Sequence, residues 1–220
     1  MIGGIVDKKD FSIDEALKFG WNTMKTNFWF FFGILIVAWI VVYVPSLIGN
    51  ILRDKSFFLY LFFMLVSWAV QIIIGIGLVR IYLKFCDGAK PEFNDLFKFQ
   101  GFFWRYLGGS LLVALIVAVG ILLFVIPGIV WAIMFQFFGF LIIDRNLSVM
   151  DSVRQSANLT KTVRWKLLGF GLLLMLINYL GVLVLIVGLF ATIPTTMLAH
   201  AWVYRKLLGQ TESGEALTSP

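Results

Sequence analysis

The chain alternates between long runs of apolar residues and short polar segments. No Asp, Glu, Lys or Arg occurs in residues 28–44, 111–143 or 167–204. Apolar runs of about 20 residues match the thickness of the hydrocarbon core of a bilayer. The pattern predicts six transmembrane helices, over residues 28–48, 57–83, 103–122, 127–143, 167–187 and 189–207. We therefore predict an all-α polytopic membrane protein whose spans form three hairpins.

Two of the three hairpin connections are almost purely apolar. Residues 119–130 read VGILLFVIPGIV, and residues 187–197 read VGLFATIPTTM. Glycine tolerates a positive φ and proline starts helices readily, so a tight turn can form at either residue. The first turn is predicted near Gly120 or Pro127, and the second near Gly188 or Pro194. A turn at Pro194 would leave a short last helix, which spans only where the bilayer thins.

One 18-residue phrase occurs twice. SIDEALKFGWNTMKTNFW starts at Ser12, and SVMDSVRQSANLTKTVRW starts at Ser148, 136 residues later. In both copies a serine precedes an acid by three residues, which resembles a capping box, and apolar residues then recur at helical spacing. Each copy predicts an amphipathic helix at the membrane interface with its basic face toward the headgroups. Small residues should allow a neighbouring helix to approach closely in both copies: Ala16 with Gly20, and Ser152 with Ser156.

A weaker third copy, PEFNDLFKFQGFFW, covers residues 91–104. With it, the chain divides into three units, each an interfacial segment followed by a hairpin, over residues 11–86, 91–143 and 147–207. Alternatively, the match is a shared solution to entering a bilayer, without common ancestry. Residues 11–208 are predicted to form one membrane domain, with a polar N-terminal segment at 1–10 and a disordered cytoplasmic tail at 209–220.

The distribution of basic residues predicts the orientation of the chain. Sixteen Lys and Arg residues lie on one side of the predicted spans, and only Arg53 and Lys55 lie on the other. Basic loops of membrane proteins stay in the cytoplasm. We therefore predict a multi-pass protein of the cytoplasmic (inner) membrane with both termini in the cytoplasm. The net charge of +6 does not indicate nucleic acid as a partner, because the basic residues flank apolar runs and form no surface stripe.

Polar residues near the middle of the predicted spans are candidates for a mid-membrane polar site. They are Gln71, Gln136, Asn178 and His200. Because lipid offers no hydrogen bonds, such groups need partners within the protein. The functional interpretation is a polar pocket in which His200 is the proton-sensitive group. The alternative, which we favour, is hydrogen bonding between helices that fixes their packing.

Five basic side chains are candidates for contact with lipid headgroups: Lys18, Lys25, Arg80, Lys161 and Arg164. Arg80 is expected to extend from the end of the second span to lipid phosphate. A specific headgroup site formed with Lys84 or Lys161 is the alternative for Arg80. The chain has one His and one Cys, and its acidic residues lie outside the spans. We therefore predict no enzyme activity, no metal site and no cofactor.

Several motifs resemble a loosely defined family of prokaryotic membrane proteins. They are IPGIVWA at residues 126–132, LIID ending at Asp144, LTK at 159–161, WKL at 165–167 and IP at 193–194. The family is similar to the membrane domain of glycerophosphoryl diester phosphodiesterase. The resemblance covers most of the chain and is clearest over residues 120–207. It implies the membrane module without the hydrolase, because 12 residues follow Leu208 and the sole histidine, His200, falls inside a predicted span.

The sequence thus predicts a non-catalytic protein that binds or organises membrane lipids, or that binds another membrane protein or a second copy of itself. The motivation is the set of basic amphipathic segments on one face, with almost no polypeptide on the opposite side. The alternative is a small-solute or lipid transporter, or exporter, that uses the polar mid-membrane residues. No motif identifies a ligand or substrate.

Overall fold

The structure, a computed structural model, describes residues 9–184 and 187–218, with side chains described to residue 213. This part of the chain contains nine α-helices, one short 3-10 helix and no strand. The all-α prediction is therefore confirmed, while residues 1–8 of the predicted N-terminal segment lie outside the described residues. The 3-10 helix is Phe93–Phe97, and the α-helices are α1 (Ile13–Thr26), α2 (Phe28–Leu52), α3 (Phe57–Cys86), α4 (Phe103–Leu123), α5 (Val125–Phe135), α6 (Phe138–Arg145), α7 (Val149–Thr160), α8 (Arg164–Leu183) and α9 (Leu189–Thr218).

Five stretches of the described chain are long and apolar enough to cross a membrane. They are α2, α3, α4, α5 together with α6, and α8. The predicted sixth span falls on α9, which is long enough but is not among them. The middle of α9 is enclosed by protein, since Leu198, Ala199 and Tyr204 are fully buried. A helix that faces protein need not be apolar all round, and the membrane crossing of α9 stays a prediction.

Helix α9 also extends beyond its predicted end. It continues to Thr218, so residues 209–218, predicted as part of a disordered tail, are helical. The amide of Gln210 donates to the carbonyl of Asp10 at 2.7 Å and accepts from the Asp10 N–H at 3.0 Å. These contacts fix the first turn of the extension against the segment that precedes α1.

Both copies of the repeated phrase form helices that start as predicted. The Ser12 hydroxyl accepts from the Glu15 N–H at 3.2 Å, and the Ser148 hydroxyl accepts from the Asp151 N–H at 3.2 Å. The small residues of both copies are buried. A Cβ added to Gly20 would lie 2.3 Å from the Thr195 carbonyl oxygen of α9. The predicted close helix approach is therefore confirmed for α1.

The predicted fourth span, residues 127–143, is not one continuous helix. Helix α5 ends at Phe135 and α6 begins at Phe138. Side chains from α7 satisfy the backbone at this break. The Ser156 hydroxyl accepts from the Phe137 N–H at 3.1 Å and donates to the Met134 carbonyl at 2.9 Å, and Thr160 donates to the same carbonyl at 3.2 Å. The break is tolerated because protein, and not lipid, supplies these partners.

The first apolar hairpin turns at Phe124, between the two predicted positions. Phe124 has an extended backbone (φ −158°, ψ 136°) between α4 and α5. Pro127 lies in the first turn of α5, where its missing N–H is not needed. Gly120 and Gly128 allow the two helices to touch, since a Cβ on Gly120 would lie 2.9 Å from the Gly128 Cα.

The second apolar hairpin turns near Gly188, the first of its two predicted positions, and not at Pro194. Helix α8 ends at Leu183 and α9 begins at Leu189. The Gly188 N–H donates to the Val184 carbonyl at 3.2 Å. Pro194 lies inside α9. Residues 185 and 186, in the last part of the predicted fifth span, lie outside the described residues.

The three units interlock in a cyclic order. Helix α1 of the first unit packs on α9 of the third, α7 of the third packs on α5 and α6 of the second, and the 3-10 helix of the second packs on α3 of the first. The closest approaches are made at glycines of α1 and α3. A Cβ on Gly77 of α3 would lie 2.0 Å from the Leu96 carbonyl oxygen. Each unit therefore depends on another unit for the partner of its short segment.

The buried core and the exposed apolar surface occupy different parts of the fold. The core is formed by α6, the C-terminal half of α3, the middle of α9 and the inner faces of α1 and α7. The hairpin tips expose large apolar side chains instead, such as Phe58 (81% exposed) and Leu122 (86% exposed). Three apolar hairpins thus extend from one shared core.

Candidate functional sites

Three of the four predicted mid-membrane polar residues line one cavity of about 220 Å³. Gln136 comes from the break between α5 and α6, Asn178 from α8 and His200 from α9. Thr196 of α9 also lines the cavity and was not predicted. Thr196 lies one helical turn before His200, so the helical spacing from His200 could have identified it.

Every polar side chain of this cavity already has a partner within the protein. His200 Nε2 lies 2.9 Å from Gln136 Oε1, and the Gln136 amide nitrogen donates to the Ile133 carbonyl at 3.0 Å. Because an amide oxygen can only accept, His200 carries its proton on Nε2. The Asn178 amide donates to the Thr196 hydroxyl at 3.1 Å. The contacts join α8 to α9 and the α5–α6 break to α9, as the packing interpretation requires.

Gln71 lies apart from this cavity. It is exposed on α3, in the half of that helix nearer the hairpin turn. The buried face of α3 begins only at Ile74. Of the four residues predicted near the middle of the spans, three therefore line the same cavity. Gln71 instead belongs to a part of α3 that extends away from the core.

Four of the five predicted headgroup contacts lie on the surface of the core or at its edge. Lys25 and Lys161 are exposed at the C-terminal ends of α1 and α7. Lys18 forms an ion pair with Asp14 at 2.7 Å, and both side chains are 70% exposed. The Arg80 guanidinium lies 5.4 Å from the centre of the Phe102 ring, so it contacts an aromatic face. The headgroup site of Arg80 with Lys84 or Lys161 stays a prediction.

Arg164, the fifth candidate, lies in an apolar groove of about 460 Å³ between α5 and α8. The buried Nε of Arg164 has no hydrogen-bond partner among the described residues. Trp165, beside it, is 78% exposed. The rest of the lining is aliphatic: Ile126, Ile129, Val130, Ile133 and Leu168. The groove therefore combines a hydrocarbon wall with one cation that has no anionic partner within the described part of the chain.

An ionic cluster that the sequence did not predict joins the middle of α9 to the C-terminal ends of α3 and α6. Arg205 of α9 donates to Asp144 of α6 at 2.6 Å and to Asp87, which follows α3, at 2.7 Å. The Tyr204 hydroxyl also donates to Asp144, at 2.8 Å. In the sequence, Asp144 is recognisable only as the last residue of the LIID motif. No local pattern joins residues that are 61 and 118 positions apart.

A second missed ionic site surrounds Asp95, in the 3-10 helix. Its side chain is fully buried and accepts from Lys84 at 2.7 Å and from Lys98 at 2.8 Å. It also accepts from the Glu92 N–H at 2.8 Å, within a capping box. Burial raises the pKa of Asp95, but these hydrogen bonds outweigh it and hold the pKa well below its usual range. The Glu-x-x-Asp spacing before an apolar run was the available signal.

The long apolar helices and the exposed hairpins define an all-α integral membrane protein. Within the described residues, no group of three His, Cys, Asp or Glu side chains could hold a metal ion. The sites described above could bind apolar chains, anions through basic side chains, and small polar groups in the cavity.

The chain is similar to three curated proteins from mycobacteria. One uncharacterised protein of Mycobacterium bovis and two of Mycobacterium tuberculosis are each 29% identical to the chain over 143 residues. The match covers 64% of this chain and 43% of each relative, so the chain spans less than half of their length. No protein-family model matches the chain. No solved structure matches it.

Proposed function

We propose that this chain is a non-catalytic protein of the cytoplasmic membrane that binds and organises lipid. In this proposal α9 is a sixth crossing, and both termini lie in the cytoplasm, as the bias of sixteen basic residues against two favours. The resemblance to the membrane domain of glycerophosphoryl diester phosphodiesterase supports a membrane module of this kind.

The observation that carries the proposal is the exposed apolar surface of the three hairpins. Contiguous apolar patches of this extent are unstable in water, whereas acyl chains cover them in a bilayer. Trp29, Trp104 and Trp165 are each the second residue of the first helix of a hairpin, and each is 78% exposed. Tryptophan prefers the level of the headgroups, so the three side chains anchor the hairpins at a common depth.

Spin-labelled lipids test whether the protein selects among lipids. The protein is reconstituted in vesicles with spin-labelled phosphatidylglycerol or phosphatidylcholine, and electron spin resonance measures the immobilised fraction of each. We expect a larger immobilised fraction for the anionic lipid. Lys25→Gln combined with Lys161→Gln should reduce this preference, because both side chains are exposed and basic.

The matched control is Asn22→Gln, which changes an exposed residue of α1 without changing its charge. This variant should keep the preference of the unmodified protein. Equal immobilised fractions of the two lipids in the unmodified protein would contradict selective lipid binding.

Cysteine labelling tests the proposed topology. Two exposed residues are suitable: Asp54, between α2 and α3, and Arg154, on the face of α7 that points away from the core. With Cys86 replaced by Ala, Asp54→Cys and Arg154→Cys should react with a membrane-impermeant maleimide from opposite sides of sealed vesicles. Reaction of both from the same side would rule out the six-span arrangement.

Transport of a small solute is the second candidate, and the cavity lined by Gln136, Asn178 and His200 favours it. Swelling of proteoliposomes in glycerol or urea, followed by light scattering, measures such transport. If the protein only binds and organises lipid, as first proposed, the proteoliposomes should swell at the same rate as vesicles without protein. A faster rate that is lost in Asn178→Leu or His200→Leu would establish the transporter instead.

A further inference from the structure

The two copies of the repeated phrase differ at the seam that each forms with another hairpin. With the offset of 136 residues, Phe28 of the first copy corresponds to Arg164 of the second. The same offset pairs Phe32 with Leu168, three residues after the end of each copy. Phe28 and Phe32 stack at 6.0 Å, and Phe32 contacts Phe190 of α9 at 4.9 Å. Aromatic rings therefore fill the seam between α2 and α9.

The corresponding seam between α5 and α8 is open. Here Arg164 and Leu168 face the aliphatic side of α5, and the space between them is the 460 Å³ groove. Ile126 is 72% exposed and Ile129 is 42% exposed, so the groove is accessible from the side that lipid covers. Ile126 to Ile133 spans two turns of α5, about 10 Å along the helix.

The charge in this groove requires an anion. In residues 9–184 and 187–218, the buried Arg164 Nε finds no hydrogen-bond partner, and a buried, unpaired donor of a charged group is costly. None of the described residues that line the groove is Asp or Glu. The guanidinium group matches phosphate because it can donate two parallel hydrogen bonds. Lys161, exposed three residues earlier, adds a second positive charge near Arg164.

We propose that this groove is a binding site for one anionic phospholipid. The lipid phosphate binds Arg164, and an acyl chain lies along α5 between Ile126 and Ile133. The site deepens the proposed lipid-binding function and rests on it. It also explains why Arg164 and Leu168 occupy the positions that correspond to Phe28 and Phe32.

Native mass spectrometry of the protein released from nanodiscs tests this site. The nanodiscs contain equal amounts of phosphatidylglycerol and phosphatidylcholine. We expect the unmodified protein to retain one phosphatidylglycerol molecule. Retention should fall about tenfold in Arg164→Gln, the change that follows loss of a charge-assisted hydrogen bond.

Two further variants separate lipid loss from misfolding. Arg164→Phe combined with Leu168→Phe copies the residues of the filled seam, and Ile129→Trp fills the groove from the opposite wall while keeping the arginine. Both should lose the retained lipid while thermal unfolding still shows a folded protein. The control is Arg154→Gln, which removes an exposed charge of α7 outside the groove and should retain the lipid.

Each contrary outcome has a distinct meaning. Retention that persists in Arg164→Gln and in Ile129→Trp would overturn the groove but leave lipid selection by the hairpins intact. A dimer that excludes the lipid would show that a second copy fills the groove, and would also overturn the site. If no lipid is retained and the spin-label experiment shows no selectivity, both the site and the proposed function fail.

Discussion

The guanidinium of Arg205 donates to the carboxylate of Asp144 at 2.6 Å, joining the middle of α9 to the end of α6. The same guanidinium reaches Asp87 at the end of α3, at 2.7 Å. Helices α3, α6 and α9 belong to the first, second and third hairpin, so one side chain joins all three units. Because the hairpin tips are exposed and only the core holds the units together, this cluster should contribute strongly to stability.

Replacing Arg205 by Gln should lower the free energy of unfolding by roughly 2–3 kcal/mol. A fully buried pair broken on one side costs about 3–5 kcal/mol, and the 25% exposure of Arg205 reduces the cost. Thermal unfolding in detergent measures the change. Lys206→Gln, next along the chain, is the control, because it loses a contact with the Trp202 ring at 5.7 Å and no ion pair among the described residues. A change no larger than that of Lys206→Gln would contradict the proposed importance of the cluster.

Replacing Gly20 by Ala should loosen the packing of α1 on α9. The new Cβ would lie 2.3 Å from the Thr195 carbonyl oxygen, which belongs to the backbone and cannot rotate away. We expect a loss of about 1–3 kcal/mol, the usual cost of overpacking, measured as a lower unfolding temperature.

Gly169→Ala is the matched control for Gly20→Ala. Gly169 also lies inside a helix, α8, but a Cβ there meets nothing within 4 Å. Alanine should be neutral there or stabilising by up to about 1 kcal/mol, because glycine is unfavourable within helices. Equal effects of the two substitutions would show that α1 does not pack on α9 as described.

Replacing Ser156 by Ala should destabilise the break between α5 and α6. The Phe137 N–H would lose its acceptor, and the Met134 carbonyl would keep only Thr160 as a donor among the side chains of α7. A buried donor left without a partner costs about 1–3 kcal/mol. Thermal unfolding and hydrogen exchange of the Phe137 amide both measure this loss.

Ser152→Ala provides the comparison for Ser156→Ala. Ser152 is equally buried, but its hydroxyl donates to the Val149 carbonyl of its own helix. Its removal leaves no N–H unsatisfied and should cost much less. Slow exchange of the Phe137 amide in Ser156→Ala would mean that this hydrogen bond does not protect the break.

The local features of the fold could be predicted from the sequence because they depend on near neighbours. The caps at Ser12 and Ser148 require only an acceptor three residues before the first free N–H group. The long apolar helices follow from composition. The burial of Ala16 and Gly20 follows from their spacing on one face of α1.

The features that were missed depend on contacts between distant segments. Nothing in the apolar sequence around Gln136 indicates a break, because the break exists only where Ser156 of α7 supplies its hydrogen bonds. The separation of Gln71 from the polar cavity has a similar origin. Counting residues along a span gives a depth, but it does not tell which helix face meets the core.

Acid should weaken the attachment of the 3-10 helix to α3, through Asp95. The pKa of Asp95 is lowered in the folded protein, so its contribution to stability is fully present above the ordinary carboxyl pKa, about 3.9. The contribution decreases as the pH falls below that value toward the lowered pKa, since the folded protein then resists a proton that the unfolded chain accepts.

The measurement compares unfolding temperatures of the unmodified protein and Asp95→Asn between pH 7 and pH 3. At pH 7 the variant should be less stable by roughly 1.5–3 kcal/mol, because it loses charge-assisted hydrogen bonds from Lys84 and Lys98. The difference should shrink below about pH 4, where the unfolded carboxyl becomes protonated. Asp14→Asn, which breaks only the exposed pair with Lys18, should cause less than about 1 kcal/mol of change. A difference for Asp95→Asn that stays constant down to pH 3 would show that Asp95 has an ordinary pKa.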